Sequence, residues 1–174
     1  MTQKTKMNNV IINTEDIKLP SWSGSMCSFA QKVLDELNHD NWELSILLCG
    51  DNTITQLNAK YRNKNEPTDI LSFNLGSKIQ DGKRTIFFPG DIVISLDTLH
   101  ENAKYFKTSE DEELRRLVIH GILHLNGMDH ESLDENEPML VKQEEIMEKL
   151  KKEHIIPHIK KGFTEEKSEK HLPA

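Results

Sequence analysis

Residues 109–130 read SEDEELRRLVIHGILHLNGMDH, and any fold of this chain has to accommodate what they encode. Ser109 and Glu112 form an S-x-x-E capping box that opens a helix. Its first turn carries Glu110, Asp111, Glu112 and Glu113, where negative charge suits the positive end of the helix macrodipole. Gly127 is placed to end the helix in a left-handed conformation and turn the chain back. His120 and His124 are four residues apart, so both project from one helix face about one turn apart. His130 lies on the returning segment, within reach of an ion held by the first pair.

Three neutral imidazoles leave a fourth tetrahedral position to water, which is the arrangement of catalytic rather than closed structural zinc. The expectation is therefore one zinc per chain, held by His120, His124 and His130, in a metal-dependent hydrolase. A lone histidine on an apolar helix is more often a core residue, but three placed by helix, glycine stop and return are hard to explain that way. The spacing H-x3-H-x5-H also occurs in metzincin proteases, in which a glutamate general base follows the first histidine. Here that position is Gly121, which argues against peptide hydrolysis. Asp129, Glu131 and Asp91 are the nearby carboxylates that could replace that base. For Asp129 the expected role is instead to hold a ligand imidazole by its free N–H. Nickel, copper and cobalt also suit three imidazoles, so the metal in the cell depends on availability.

The rest of the chain alternates short strand and helix patterns. Strands are expected at Asn9–Asn13, at Trp42–Leu48, in ILSFNL, in IFF and in DIVIS, with Asp81-Gly82 as a hairpin reversal and Pro89-Gly90 separating the last two. Helices are expected from about Ser21 to Asn38, after Asp51 or Asn52 as cap, from Leu96 to Phe106, across the histidine segment, and from about Glu135 to Lys152. The class is α/β or α+β. It comprises a single domain over residues 1–152, with a small central sheet of about four strands flanked by about five helices. Residues 153–174 read as a charged, frayed tail.

Charge and cysteine content narrow the function. The chain carries a net charge of −7, and the last 24 residues hold six lysines against four glutamates, so the domain itself is more acidic still. Bulk attraction to nucleic acid is excluded, and any RNA contact has to be local. Candidate basic spots are Lys60, Arg62 and Lys64, then Lys78, Lys83 and Arg84, then Arg115 and Arg116. Cys27 and Cys49 form no framework, and no apolar run approaches membrane-spanning length, so a cytoplasmic protein without membrane contact is expected.

HGILHLNGMDH at 120–130, YRNKNEPTDILSF at 61–73 and PGDIVIS at 89–95 resemble, in that order, blocks of the YbeY family of bacterial zinc-dependent endoribonucleases. The resemblance spans about residues 42–150. Its main departure is Met128, where the family usually has tyrosine, a position expected to touch substrate more than metal. The resemblance implies a small α/β domain with the zinc in a cleft. The implied activity is that of a single-strand-preferring ribonuclease in late ribosomal RNA maturation, at the 3′ end of the small-subunit RNA, and in ribosome quality control. It makes His120, His124 and His130 the zinc ligands and counts His120, His124 and Arg62 as catalytic. Implied partners are ribosomal RNA, the small ribosomal subunit with its proteins, and an assembly GTPase. A guanidinium at Arg62 suits a phosphodiester transition state because its planar fork matches the charge that builds on the non-bridging oxygens. The residues alone also admit a metalloprotease-like hydrolase, or a ribosome assembly factor whose zinc is not catalytic.

Overall fold

The computed structural model describes residues 7–157; of the charged tail expected at 153–174, residues 158–174 lie outside them. The elements follow as β1 (Asn9–Thr14), α1 (Ser23–Glu36), β2 (Glu43–Cys49), α2 (Asp51–Arg62), β3 (Ile70–Asp81), β4 (Arg84–Ser95), α3 (Leu96–Phe106), α4 (Glu110–Leu125) and α5 (Pro138–Lys149). The four strands form one sheet in the order β1-β2-β4-β3. β1, β2 and β4 run parallel, while β3 pairs antiparallel with β4 at the edge. This is the mixed sheet and five helices expected of an α+β domain.

Alternation along the strands sorts the core into two faces. Leu44, Ile46 and Leu48 of β2 with Ile92 and Ile94 of β4 face Phe29, Val33 and Leu34 of α1, much of α4, and Met139 and Ile146 of α5. Cys49, Leu71 and Val93 face the other way and pack under Ile54 of α2. Each fully buried Leu or Ile contributes about 1.5–3 kcal/mol. Helix α4 is the most enclosed element, with eleven of its sixteen residues buried, lying over β3 and β4 with α1, α3 and α5 against it.

The structure departs from the sequence expectation in three places. ILSFNL, IFF and DIVIS become two long strands, because Pro89-Gly90 runs inside β4 instead of breaking it. The register of β3 against β4 shifts between Asn74 and Ser77, opposite Pro89, so the proline sits at an irregularity where a missing N–H is tolerated. Gly90 has φ 142°, and a Cβ there would lie 1.9 Å from the Phe73 carbonyl oxygen, so only glycine lets the two strands close up.

The start of α2 is the second departure. Gly50 occupies the cap position, and no side chain caps the helix. Asp51 instead accepts from Ser95 Oγ and Thr98 Oγ1, both at 2.6 Å, while Asp97 Oδ2 accepts from the Asp51 N–H at 2.9 Å. The openings of α2 and α3 are therefore tied together.

The chain also stays docked past Lys152, where fraying was expected to begin. Ile155 is 1% exposed, and Asp111 Oδ1 accepts from the Ile155 and Ile156 N–H groups at 2.7 and 2.8 Å. Asp111 Oδ2 bonds Arg115 Nε at 3.0 Å and His154 Nδ1 at 2.9 Å, and these bonds hold the carboxyl below its ordinary range against the opposing effect of burial. Replacing Asp111 by alanine leaves Arg115 and two backbone donors without their acceptor. That substitution is expected to cost about 3 kcal/mol in urea unfolding and to speed amide exchange at Ile155 and Ile156.

Candidate metal centre

The helix stop after α4 is built from the residues the sequence singled out. Gly127 has φ 83°; its N–H donates to the His124 carbonyl at 2.9 Å, and the Met128 N–H donates to the Leu123 carbonyl at 3.0 Å. This pair of bonds is a Schellman motif, in which the residue after the glycine commonly packs back on the helix. Met128 does so: its side chain packs against the main core. The side chain is half-buried against the core and outside the cleft lining, and the backbone carbonyl of this residue serves the site.

The turn returns His130 to the α4 pair. The ring centroids of His120, His124 and His130 lie 4.6, 5.2 and 5.5 Å apart. One ring nitrogen from each lies within 4.8 Å of the other two, and His120 Nε2 and His124 Nε2 are 3.0 Å apart. The edge of a tetrahedron with zinc–nitrogen bonds of about 2.0–2.1 Å is about 3.4 Å, so the spacing suits a common ion.

Hydrogen bonding decides what those nitrogens are. His124 Nδ1 lies 3.2 Å from the Met128 carbonyl oxygen and His130 Nδ1 lies 2.8 Å from the Ser132 carbonyl oxygen. A carbonyl only accepts, so both Nδ1 atoms carry the proton and both Nε2 atoms carry a lone pair. His120 Nδ1 meets Gln143 Oε1 at 2.8 Å. Two lone pairs turned on one point beside a third imidazole attract a cation, so the residues fit a metal ion. Burial holds His120 and His124 below the usual imidazole pKa of 6.5; for His124 the neighbouring His120 adds to the effect. Neutral imidazoles are the form that ligates.

The carboxylate candidates separate cleanly. Asp91 lies on β4 beside Ile92 and lines a cavity with Leu47, Leu57, Tyr61 and Phe73, on the α2 side of the sheet. It is removed from the metal centre because adjacent strand residues point to opposite faces. Glu131 is exposed and outside the cleft lining. Asp129 does line the cleft, yet its Oδ1 stands 3.7 Å from His124 Nδ1 and accepts instead from the His130 N–H at 2.8 Å. The imidazole expected to be held by Asp129 is held by the Met128 carbonyl.

Gly121 has a packing explanation. A Cβ there would come within 2.8 Å of Ile92 Cδ1 and 3.1 Å of Ile70 Cδ1, so the helix sits tight on the sheet at this residue. Any side chain after His120 points into the core, and no general base can reach the metal from there.

The cleft has a volume of about 450 Å³ and is lined by Ile70, Ser72 and Asn74 of β3, by Arg62, and by the histidines with Asp129. Arg62, the last residue of α2, is exposed, and among the described residues no ion pair holds it. The loop after it is fixed by Asn58, which is 3% exposed and donates to the Glu66 carbonyl at 2.9 Å. Thr68 donates to Asp69, which also accepts from Asn102, as turn chemistry predicts for this stretch. Phe73 packs under α2 against Tyr61, at a centroid distance of 5.1 Å. Sequence reasoning missed Gln143 and the Met128 and Ser132 carbonyls, because a helical glutamine and two backbone oxygens carry no signal in a motif.

The chain matches the family model described as Endoribonuclease YbeY over residues 8–151. A protein of Treponema denticola named Endoribonuclease YbeY is 47% identical over 129 residues, 74% of this chain and 83% of that one. One of the same name from Treponema pallidum is 41% identical over 144 residues, 82% and 90% of the two chains. A solution structure of a Thermotoga maritima protein superposes with a TM-score of 0.56 at 27% identity, covering 82% of this chain and 90% of that one.

Two outcomes are expected from the site. Because the unfolded chain takes up protons near pH 6.5 and buried His120 and His124 resist them, metal-free protein should hold its stability above that pH and lose it as pH falls below. Urea midpoints at pH 7.5 and 5.5 measure this, and equal values contradict it. Gly121→Glu should abolish folding, at a cost of more than about 3 kcal/mol, rather than create a protease.

Proposed function

The chain belongs to the YbeY family, and on that premise we propose that it is a zinc-dependent endoribonuclease, cutting single-stranded RNA in the cleft where Arg62 faces the three histidines. The observation that carries this reading is the shared cleft: one guanidinium and three convergent imidazole nitrogens lie on a single cavity. His120, His124 and His130 would hold the ion. A bound zinc ion supplies Lewis acidity toward a phosphodiester oxygen and toward water.

The chain's own residues do the rest. Arg62 offers a fork of N–H groups that can donate to a phosphate, in a cleft open to solvent. It stabilises the charge that builds on the non-bridging oxygens as the phosphorus–oxygen bond breaks. Asn74 and Ser72 line the wall supplied by β3 and can hydrogen-bond sugar or base edges. Of the three candidate carboxylates only Asp129 lines the cleft, and with Oδ1 engaged by the His130 N–H its second oxygen is the candidate proton acceptor.

An acidic chain needs local positive charge to hold RNA. Lys60 and Lys64 flank Arg62, and Lys78, Lys83 and Arg84 lie on the β3–β4 hairpin, whose first residues form the cleft wall. Family membership supports ribosomal RNA as the substrate, with maturation of the small-subunit RNA at its 3′ end as the step. It equally supports small-subunit proteins and an assembly GTPase as partners and the cytoplasm as the place. Among the described residues no helix is long and apolar enough to cross a membrane.

His124→Ala should lose metal and RNA cleavage together. Arg62→Glu should keep metal and lose cleavage by at least about 100-fold. Purified protein assayed on a single-stranded ribosomal RNA fragment, before and after chelation, tests both. Undiminished cleavage by metal-free protein, or cleavage of casein in place of RNA, contradicts the proposal.

A further inference from the structure

The buried stripe of α5 contains Met139, Gln143, Ile146 and Met147. Three of these positions are apolar, and Gln143 is buried among them, at 6% exposed. A primary amide in such a stripe costs free energy unless it is hydrogen-bonded. Core packing therefore does not explain the glutamine.

Its two hydrogen bonds do. Gln143 Nε2 donates to Glu144 Oε1 at 3.2 Å, and that carboxylate also accepts from Arg116 Nε at 3.1 Å. A carboxylate bound in this way accepts only, and its bonds with Arg116 and Gln143 hold Glu144 below its ordinary pKa. The amide nitrogen of Gln143 is thereby committed to Glu144, so the amide oxygen has to face His120. Arg116 is itself anchored to Glu112 at 3.2 Å, one turn earlier on α4. Arg116, Glu144 and Gln143 thus form a chain of donors and acceptors that starts on α4, crosses to α5 and returns to α4 at His120.

We propose that Gln143 is the positioning residue of the metal centre: its oxygen accepts the His120 Nδ1–H bond, fixing the Nε2 lone pair of that ring toward the ion. The other two histidines receive the same service from backbone carbonyls, as described above. His120 sits mid-helix, where the nearby carbonyls are taken by the helix itself, so the acceptor has to come from another element. The docking of α5 on α4 is in this way coupled to metal affinity. This inference rests on the metal reading of the site, and its test separates the two.

Gln143→Met and Gln143→Glu test it in the full chain. The methionine keeps volume and removes the acceptor; the glutamate keeps an oxygen toward His120 and is paired with Glu144→Gln, so that a donor again meets the acceptor between the two side chains. Gln143→Met is expected to weaken zinc binding, measured by chelator competition, by about 10–100-fold. The Gln143→Glu and Glu144→Gln pair should stay within about threefold of the parent. Cobalt-loaded Gln143→Met should also show a changed d–d spectrum, which a packing role would not produce.

A second measurement needs no variant. Two-bond proton–nitrogen correlation in the metal-free parent should show His120 protonated at Nδ1 and bare at Nε2. A His120 tautomer with the proton on Nε2 would overturn the proposal, as would Gln143→Met binding zinc as tightly as the parent with an unaltered cobalt spectrum. If the parent binds no metal yet shows the Nδ1–H tautomer, the metal reading fails while the role of Gln143 in fixing the ring stands.

Discussion

The site depends on three N–H···O bonds, each on the side of a histidine ring away from the point where the three rings converge. Each takes one Nδ1 proton and leaves one Nε2 lone pair directed at the shared point. Two of the acceptors are carbonyls of the turn that follows α4, at Met128 and Ser132, and the third is the Gln143 amide on α5. If those acceptors were removed, the rings would be free to rotate and exchange tautomers, and convergence of the lone pairs would be lost. Repulsion among the lone pairs is tolerated because the surrounding fold over-determines each ring, and a bound cation would offset it.

Helix α4 serves the sheet and the site with alternating residues. Ile119 and Ile122 go into the core, Gly121 lets the helix settle on Ile92 and Ile70, and His120 and His124 point to the cleft. That division explains a point the motif alone leaves open. In the protease pattern a glutamate follows the first histidine; here the same position faces two isoleucines, so a glutamate there would be buried away from the cleft. The chemistry has to draw its other groups from elsewhere, and the cleft supplies Arg62 from the end of α2 and Asp129 from the return.

Much of this was legible in the sequence for physical reasons. The helix of the histidine block was marked at both ends, by Ser109 and by Gly127, and the structure uses both: Ser109 Oγ accepts from the Glu112 N–H at 3.0 Å, and the glycine takes the left-handed turn. Ligand spacing followed from helical periodicity. What stayed hidden was long-range. Asp91 looked close because its sequence neighbours lead into the site, but strand alternation turns it to the α2 face. Pro89-Gly90 read as a break because local propensity cannot see the partner strand whose irregularity absorbs it. Asp111 looked like one of four helix-dipole carboxylates, and its role in holding Ile155 and Ile156 depends on residues 44 and 45 positions away. Gln143, 23 positions from His120, was hidden for the same reason.

All of these features bear on one claim, that this chain holds a single ion with three imidazoles and leaves it open to solvent and substrate. X-ray absorption at the zinc edge of the loaded protein addresses it directly. The account predicts three nitrogen neighbours at about 2.0–2.1 Å, with imidazole multiple scattering, and a remaining oxygen neighbour that is exchanged when phosphate is added. A shell closed by a fourth side chain and insensitive to phosphate, or fewer than three imidazoles, would contradict it.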